Sequence, residues 1–584
     1  MEAAADEAVG FVFYLKMTEY GMKKLLLGAL FFGAGLSFLP DALAAISREA
    51  APGMTGRWTG RVEETGGGSW RTDTIYGAVD ESIDAVFPDT LPPDSLFADS
   101  LSASDGGVGA AGAAVLPDST AEPEADACPT LADCMAEILQ APFLLTSDVG
   151  ISVYDLTDDS TLYAYHSDKL YRPASTQKLF TAIAALDRMG TDYAVETLVL
   201  GDSVQTDSVW HGNLYLLGRF DSEFNAGDMQ HLVQSLADHG IRRIEGKVYA
   251  DVSMKDSLPY NPGWCWDDGY YDYQPELTPL IYHKGYLTLR LTASSSRRRS
   301  AISVNPPTEL YTFDNRTGGS GAFRLYRNLT TGSRVIHLRG RVHRRSTQTI
   351  TIPRPYELFA DVFLQELGKA GIVSGGYGGV RRAPLSVDTI GGVRRPVQHI
   401  LERALKNSDN LSAEAMFFQL GYFHRNEGKP AAEHTPCASD DGAEAVRRFL
   451  LDAGLNASDY GISDGCGLSL YNRTSADALV VALRYAAYRR PLFEEIYEAL
   501  PIAGVDGTLR RRMKGSLAEG NVRAKTGSMS GVSTLAGYCV APNGHLLAFA
   551  ILNQNARRSA DARALQDRIC KLLCRYVPRD GSVE

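Results

Sequence analysis

The chain has 584 residues, of which 44% are hydrophobic and 22% charged, a composition typical of a globular protein too long for one ordinary domain. Its formal net charge of -12 argues against a general nucleic-acid-binding protein, because phosphate binding requires a basic surface. Two runs of three arginines, Arg297-Arg298-Arg299 and Arg510-Arg511-Arg512, are interpreted as solvated faces, which is the usual role of such runs.

The N-terminal region has the pattern of an export signal. Two lysines precede an apolar run at 25–39, and the small residues Ala42 and Ala44 suit cleavage by a signal peptidase. The run is too short for a comfortable membrane span, so no stable span is expected. We therefore predict a signal peptide at 1–44, with Met17 or Met22 as alternative starts, and a periplasmic, exported protein; an uncleaved anchor is the alternative.

Residues 45–127 are rich in Gly, Asp, Ser, Ala and Pro and show little periodicity. Such a composition cannot bury enough apolar surface to offset the loss of chain entropy on folding. We predict a disordered linker here and folded sequence from about Cys128.

The chain has eight cysteines. Cys128 and Cys134 are near each other in sequence, as are Cys570 and Cys574, and either pair could bridge in an oxidising compartment, although sequence does not fix the connectivity. No cysteine or histidine group has metal-ligand spacing, so neither a metal nor another cofactor is expected.

Hydrophobic periodicity predicts an α/β domain interrupted by a β-rich insertion. In chain order, the predicted elements are strands at 150–156 and 161–165, a helix from Pro173 to Leu186, mostly short strands with one helix at 229–239, helices at 397–405, 412–424 and 442–453, strands at 522–526, 533–540 and 546–552, and a helix at 560–576. The predicted division is one domain from 128–196 plus 396–584, with one or two inserted domains at 197–395.

The first chemical motif is Ser175-Thr176-Gln177-Lys178, at the start of the helix after Pro173. A serine and a lysine three apart lie on the same helix face, where a neutral lysine can deprotonate the hydroxyl. The backbone N–H groups of a helix N-terminus can also stabilise an oxyanion. Taken alone the pattern is weak, since an exposed helix start with a solvated lysine has the same sequence.

Ser408-Asp409-Asn410 lies in a polar break between two predicted helices. Such loops often present polar side chains to a cleft. The simpler interpretation is that Ser408 or Asp409 caps the following helix.

Lys525-Thr526-Gly527 is predicted to end a strand, with Ser528 following. A strand edge can bind an extended peptide, the lysine can bind a substrate carboxylate, and the glycine allows close approach. An ordinary turn after a strand is the alternative.

Together, in this order, the three motifs are a known set for serine acyl-transfer enzymes. The chain resembles the class C penicillin-binding proteins, the D-alanyl-D-alanine carboxypeptidase/endopeptidase family. Further similar stretches are 173–178, 212–218, 464–469, 507–509 and 525–532. The chain departs from that family at Arg219-Phe220-Asp221-Ser222, where further glycines and a proline are usual, at Cys466, where serine is common, and in the linker.

The resemblance implies an α/β (α+β) penicillin-binding/β-lactamase-like transpeptidase domain, in which an antiparallel sheet is flanked by helices. It implies peptidoglycan stem peptides as substrates and β-lactams as inhibitors, and leaves the oligomeric state open. The implied roles are Ser175 as nucleophile, Lys178 as general base, Ser408 as proton relay, Asn410 as ligand of the substrate amide, Lys525 as ligand of its carboxylate, and Thr526, Gly527 and Ser528 as the remainder of the substrate-binding strand.

Two other functions are considered. A class A β-lactamase would carry a Glu-x-x-x-Asn pattern between the second and third motifs, and residues 411–524 contain none. A non-catalytic cell-wall or β-lactam-binding protein would not need both lysines.

Overall fold

A computed structural model describes residues 130–576 and two short strands, β1 (Gly10–Phe13) and β2 (Leu27–Leu30), which pair antiparallel. Apart from these two strands, the predicted signal peptide and linker lie outside the described residues, as does Cys128.

A five-stranded antiparallel sheet is built from both ends of this region, in the order β19-β20-β21-β3-β4. Its strands are β3 (Asp148–Asp155), β4 (Ser160–Tyr165), β19 (Arg523–Met529), β20 (Val532–Val540) and β21 (Leu546–Gln554). A turn at Pro542-Asn543-Gly544 joins β20 to β21, and Gly544 has a φ of 85°. Since β19 is an edge strand, its outer side is available to another chain beyond Ala524, whose N–H donates to the carbonyl of Pro501.

Helices cover both faces of this sheet. Side chains alternate along the strands, so that Tyr538 and Ala550 pack into one apolar cluster while Cys539 and Ile551 pack into another. The helices are α1 (Leu131–Ile138), α2 (Gln177–Met189), α3 (Ala226–Asp238), α4 (Pro355–Lys369), α5 (Val397–Lys406), α6 (Asn410–Asn426), α7 (Ser439–Asp452), α8 (Ala476–Ala487), α9 (Arg490–Ala499) and α10 (Ser559–Leu573). None of the helices in residues 130–576 is both long and apolar enough to cross a membrane.

Helix α2 is the central helix of the protein. Every residue from Gln177 to Leu186 is buried. A helix that is buried all round is fixed by packing on every side, which makes it a rigid support for side chains at its N-terminus.

The segment between α2 and α5 contributes a second five-stranded sheet, of mixed direction, in the order β17-β10-β8-β5-β18. It also has three-stranded sheets in the orders β12-β11-β16, β13-β15-β14 and β6-β7-β9. The strands are β5 (Ala194–Gly201), β6 (Gln205–Thr206), β7 (Val209–Trp210), β8 (Leu214–Gly218), β9 (Arg243–Ile244), β10 (Val248–Asp251), β11 (Tyr286–Leu291), β12 (Ile302–Asn305), β13 (Thr312–Thr317), β14 (Arg324–Arg327), β15 (Val335–Gly340), β16 (Ser346–Thr351), β17 (Tyr377–Val380) and β18 (Asp388–Pro396).

The expectation of a single helix in this segment is wrong, since α4 follows α3. Proline at the first position of α4 suits a helix start, and the buried residues Leu358, Phe359, Val362 and Phe363 repeat at helical spacing. The short strands before and after α4 in the sequence made its helical pattern difficult to recognise. The segment has an apolar cluster of its own, made of residues between 199 and 393, although the exact domain boundaries stay a prediction.

The described cysteines Cys570 and Cys574 are both free thiols buried in α10 and just after it, so this predicted candidate bridge is not formed.

Candidate active site

Ser175 lies on a 3₁₀ turn, Ala174–Thr176, that leads directly into α2. Two threonine hydroxyls, those of Thr176 and Thr534, donate to the carbonyl of Pro173, each at 2.7 Å, and hold this turn against β20. Ser175 is half-buried and lies one turn before Lys178, whose Nζ is 2.9 Å from Ser175 Oγ. The helical spacing of the first motif therefore produces the expected contact.

Lys178 is fully buried, and its amine has two further acceptors. Nζ donates to Asn410 Oδ1 at 2.7 Å and to the carbonyl of Cys466 at 2.7 Å. Burial lowers the pKa of Lys178, although Cys466, Asp464 and other acidic neighbours oppose that shift. An amine with a lowered pKa can be neutral at moderate pH, and its lone pair can then accept the proton of Ser175 Oγ.

Ser408 lies between α5 and α6, where the chain takes a positive φ of 60°. Lys525 Nζ donates to Ser408 Oγ at 2.8 Å and to the carbonyl of Thr526 at 2.6 Å. Asp409 accepts from the N–H of Ser412 at 2.7 Å, so it also caps α6 as the simpler interpretation held.

Lys525 is the second fully buried amine of the site. Burial and the positive charge of Lys178 lower the pKa of Lys525 well below its ordinary value. The two amines repel each other when both carry a positive charge. Burial is the largest cause of the lowered pKa of Lys178. Repulsion by the charge of Lys178 contributes, after burial, to the lowered pKa of Lys525.

Asn410 is the first residue of α6 and connects the site to the inserted segment. Its Oδ1 accepts from Lys178, and its Nδ2 donates to the carbonyl of Tyr273 at 2.9 Å. Tyr273 was not predicted to lie here. The contact uses a backbone carbonyl, which any residue type can supply, so the sequence contains no signal for it.

Strand β19 carries the third motif on the open edge of the sheet. The N–H of Ala524 points outward to the carbonyl of Pro501 at 3.0 Å. Because N–H groups alternate between the two sides of a strand, the N–H of Ser528 points to the same outer side, where Ser528 is exposed. Thr526 Oγ1 donates to the hydroxyl of Thr508 at 2.8 Å, which brings the predicted stretch 507–509 to the site.

Gly527 contacts the turn that carries Ser175. A Cβ atom at Gly527 would lie 2.1 Å from Thr534 Oγ1, 2.9 Å from the carbonyl of Pro173 and 2.9 Å from the N–H nitrogen of Ser175. Only glycine allows this approach without displacing the turn. The three motifs are thus in direct mutual contact.

We expect Gly527→Ala to slow acylation of the protein by penicillin about 100-fold, because a displacement of about 1 Å at a reacting group costs roughly that factor. The measurement is the second-order rate of labelling by a fluorescent penicillin. Gly368→Ala is the matched control, since a Cβ there meets no atom within 4 Å. Equal labelling rates in the two variants would contradict the close approach of β19 to Ser175.

The buried carboxyl group of Glu414 is connected to Lys178 through the loop that contains Cys466. Glu414 accepts from the N–H groups of Gly465 at 2.9 Å and Cys466 at 2.8 Å, and from Asn261 Nδ2 at 2.7 Å. These bonds hold the loop whose Cys466 carbonyl contacts Lys178. Burial and the adjacent Asp464 raise the pKa of Glu414 to about 8. Neither Glu414 nor Asn261 was predicted, because a glutamate within a helix pattern usually faces solvent.

We expect Glu414→Ala to leave two buried N–H groups unpaired, at a cost of about 1–3 kcal/mol each, and to slow acylation at least roughly tenfold. Glu414→Gln keeps one carbonyl acceptor for both N–H groups and is expected to acylate within about threefold of the parent. Rates and melting temperatures of both variants check this. Equal acylation rates for Glu414→Ala and the parent would contradict the positioning role.

Glu414→Gln and the parent are expected to differ in how their stability depends on pH. The pKa of Glu414 is raised from 4.5 to about 8 on folding, so the native state binds more protons than the unfolded state between these values. Stability contributed by this group therefore falls as pH rises through that window, by at most about 1.4 kcal/mol per pH unit. The melting temperature of Glu414→Gln minus that of the parent is expected to increase from pH 5 to pH 8.

Comparisons with known proteins identify the family of the chain. The family model of the D-Ala-D-Ala carboxypeptidase 3 (S13) family matches residues 131–576. A D-alanyl-D-alanine carboxypeptidase from Actinomadura sp. is 30% identical over 461 residues, which are 75% of this chain and 84% of that protein. D-alanyl-D-alanine carboxypeptidase DacB of Haemophilus influenzae is 24% identical over 72% of this chain and 88% of its own length.

The fold also matches a solved structure. The crystal structure of penicillin binding protein 4 (dacB) from Haemophilus influenzae superposes with a TM-score of 0.67 at 22% identity, covering 76% of this chain and 99% of that one. The fold class predicted from the sequence is therefore confirmed. On the family match and the fold, the chain belongs to the D-Ala-D-Ala carboxypeptidase 3 (S13) family.

Proposed function

We propose that the chain is a serine D-Ala-D-Ala carboxypeptidase/endopeptidase in which Ser175 forms an acyl-enzyme with peptidoglycan stem peptides. The observation that carries this proposal is the 2.9 Å contact between Ser175 Oγ and the buried amine of Lys178, whose pKa is lowered. A hydroxyl beside a neutral, desolvated amine is an activated nucleophile.

In the acylation step, Ser175 Oγ attacks the carbonyl carbon of the penultimate D-alanine while Lys178 Nζ takes the hydroxyl proton. The tetrahedral oxyanion accepts hydrogen bonds from the N–H groups of Ser175 and Ser528. The carbon–nitrogen bond then breaks, and the leaving amine takes a proton that Ser408 relays from Lys178. In the second step water attacks the ester, and Ser175 regains its proton.

Substrate binding uses the other groups of the pocket. The terminal carboxylate pairs with Lys525 and the hydroxyl of Thr526, the substrate amide contacts Asn410, and the peptide extends along the open edge of β19. A bound carboxylate favours the charged form of Lys525. The ammonium of Lys525 then opposes protonation of Lys178, so substrate binding supports the neutral form of the base.

β-Lactams are proposed as inhibitors that acylate Ser175, since they carry a reactive carbonyl and a carboxylate at matching positions. One solved relative of the same fold, penicillin binding protein 4 from Haemophilus influenzae, is described in complex with a β-lactam. Stable acylation separates this proposal from a β-lactamase. With nitrocefin, one slow adduct per chain is expected, and fast continuous hydrolysis would favour the lactamase.

The activity is tested by incubating the protein with a pentapeptide ending in D-Ala-D-Ala and with cross-linked muropeptides. Release of terminal D-alanine is the expected carboxypeptidase product, and cleavage of the cross-link is the endopeptidase product. If neither product forms while penicillin still labels the protein, the chain is a β-lactam-binding protein rather than a peptidase.

We further propose export to the periplasm through the signal peptide at 1–44. Its support is the sequence pattern of lysines, apolar run and small residues.

A further inference from the structure

Positive charge is concentrated in the part of the chain that forms two of the three-stranded sheets. Residues 286–352 contain twelve arginines, no lysine and two carboxylates, Glu309 and Asp314, in a chain whose formal net charge is -12. The remainder of the protein is therefore strongly acidic, and this segment stands out as a cationic surface. A field of this kind attracts anionic partners.

The charge surrounds a cavity of about 780 Å³. Three loops line it: 292–301 joins β11 to β12, 318–323 joins β13 to β14, and 341–345 joins β15 to β16. Its lining includes Arg297, Arg298, Arg299, Arg341 and His343, which are all exposed. No residue of the candidate active site lines this cavity.

The lining of the cavity also includes a run of small residues at 318–322. Gly319 and Gly321 have no atom within 4 Å of the position that a Cβ would occupy. Gly318 and Gly321 also have φ values of 106° and 100°, which favour glycine over other residues. The space beside Gly319 and Gly321 is therefore open to a ligand.

The arginines of the cavity are unpaired. Within residues 130–576, the side chains of Arg297, Arg298, Arg299 and Arg341 have no carboxylate within ion-pair distance. Neighbouring arginines on the same sheets do have such partners, as Arg327 pairs with Glu276 at 3.4 Å and Arg339 pairs with Asp314. Arg327 and Arg339 are thus neutralised by carboxylates, whereas the arginines of the cavity are available to a ligand.

We propose that this cavity binds carboxylates of the peptidoglycan polymer, apart from the stem peptide held at Ser175. The guanidinium group pairs with carboxylates through two parallel hydrogen bonds, and several adjacent arginines favour a ligand with repeated carboxylates. Stem peptides repeat carboxylates along the polymer, and the proposed function, on which this inference rests, already brings the protein to it. A second contact on the same polymer raises the local substrate concentration at the active site.

The test is co-sedimentation of the full chain, carrying Ser175→Ala so that the polymer stays intact, with purified sacculi freed of lipid and other polymers. The variant Arg297→Gln/Arg298→Gln/Arg299→Gln is compared with Arg394→Gln/Arg490→Gln/Arg558→Gln. The control removes the same charge at side chains that are 72%, 89% and 72% exposed outside the cavity. A second arm uses sacculi whose carboxylates have been converted to amides.

We expect the cavity variant to need at least tenfold more sacculi for half-maximal binding, and the control variant to bind within twofold of the unsubstituted chain. Amidated sacculi and higher salt are expected to weaken binding of the chain similarly. Equal binding by the two triple variants overturns the inference, as does unchanged binding to amidated sacculi. Arginine-dependent binding to phosphatidylglycerol vesicles or to DNA, with none to sacculi, also overturns it.

Penicillin labelling of the unsubstituted chain separates this inference from the proposed function. If penicillin labels the protein but the cavity variant co-sediments with sacculi as well as the control variant does, the inference is refuted and the proposed function is not. An unlabelled protein refutes the proposed function, and with it the basis for choosing this polymer.

Discussion

Replacing Ser175 with alanine is expected to reduce release of D-alanine from a pentapeptide by roughly 10⁴-fold or more, because loss of a nucleophile removes the covalent route. The same substitution should abolish stable labelling by penicillin. Ser175 is half-buried and accepts one hydrogen bond from Lys178, so the melting temperature is expected to change by only a few degrees.

A matched control is Ser528→Ala. The oxyanion contact proposed for Ser528 uses its backbone N–H, and its side chain is exposed, so this variant should keep most of the labelling. Persistence of the penicillin adduct in Ser175→Ala would place the nucleophile elsewhere.

The second large effect is expected for Lys178→Met, which keeps the length of the side chain and removes the base. Loss of a general base typically costs about 10²–10⁴-fold in rate, so acylation should fall by that factor while the fold is kept. The measurement is the second-order acylation rate. Lys169→Met is the control, because Lys169 is 50% exposed and pairs only with Asp148 at 3.5 Å.

The pH profile of the parent provides an independent reading of the same amine. Burial lowers the pKa of Lys178 from 10.5, and only the neutral amine accepts a proton. Acylation should therefore accelerate as pH rises through this lowered pKa and level off below pH 10.5. An acylation rate that falls over the same range, or a Lys178→Met variant as fast as the parent, would contradict the role of Lys178 as base.

The sequence predicted the contacts that follow from local spacing and from motif order. Ser175 and Lys178 are one helical turn apart, so their contact needs only the helix to form. The contacts of Lys178 with Asn410 and of Lys525 with Ser408 span 232 and 117 residues. Those long-range contacts were predicted from the known combination of three motifs, since no local pattern encodes them.

The parts that sequence reasoning missed depend on burial and on backbone atoms. Glu414 lies in a helix, and the helical pattern does not show that this glutamate is buried. Two of its partners are backbone N–H groups, which give no sequence signal. The contacts of the Tyr273 and Cys466 carbonyls at the site cannot be predicted from the sequence either, because every residue has a backbone carbonyl. Arg297 is exposed, as expected of a solvated face, but the sequence alone does not show the cavity that three separate loops form beside it.

The most direct test of the catalytic assignment is the location of the penicillin adduct. The protein is reacted with benzylpenicillin, digested, and analysed by mass spectrometry. We predict that one peptide, the one that contains Ser175, gains the mass of one antibiotic and that fragmentation places the added mass on Ser175. An adduct on Ser408 or on any other residue, or no adduct at all, would contradict the account.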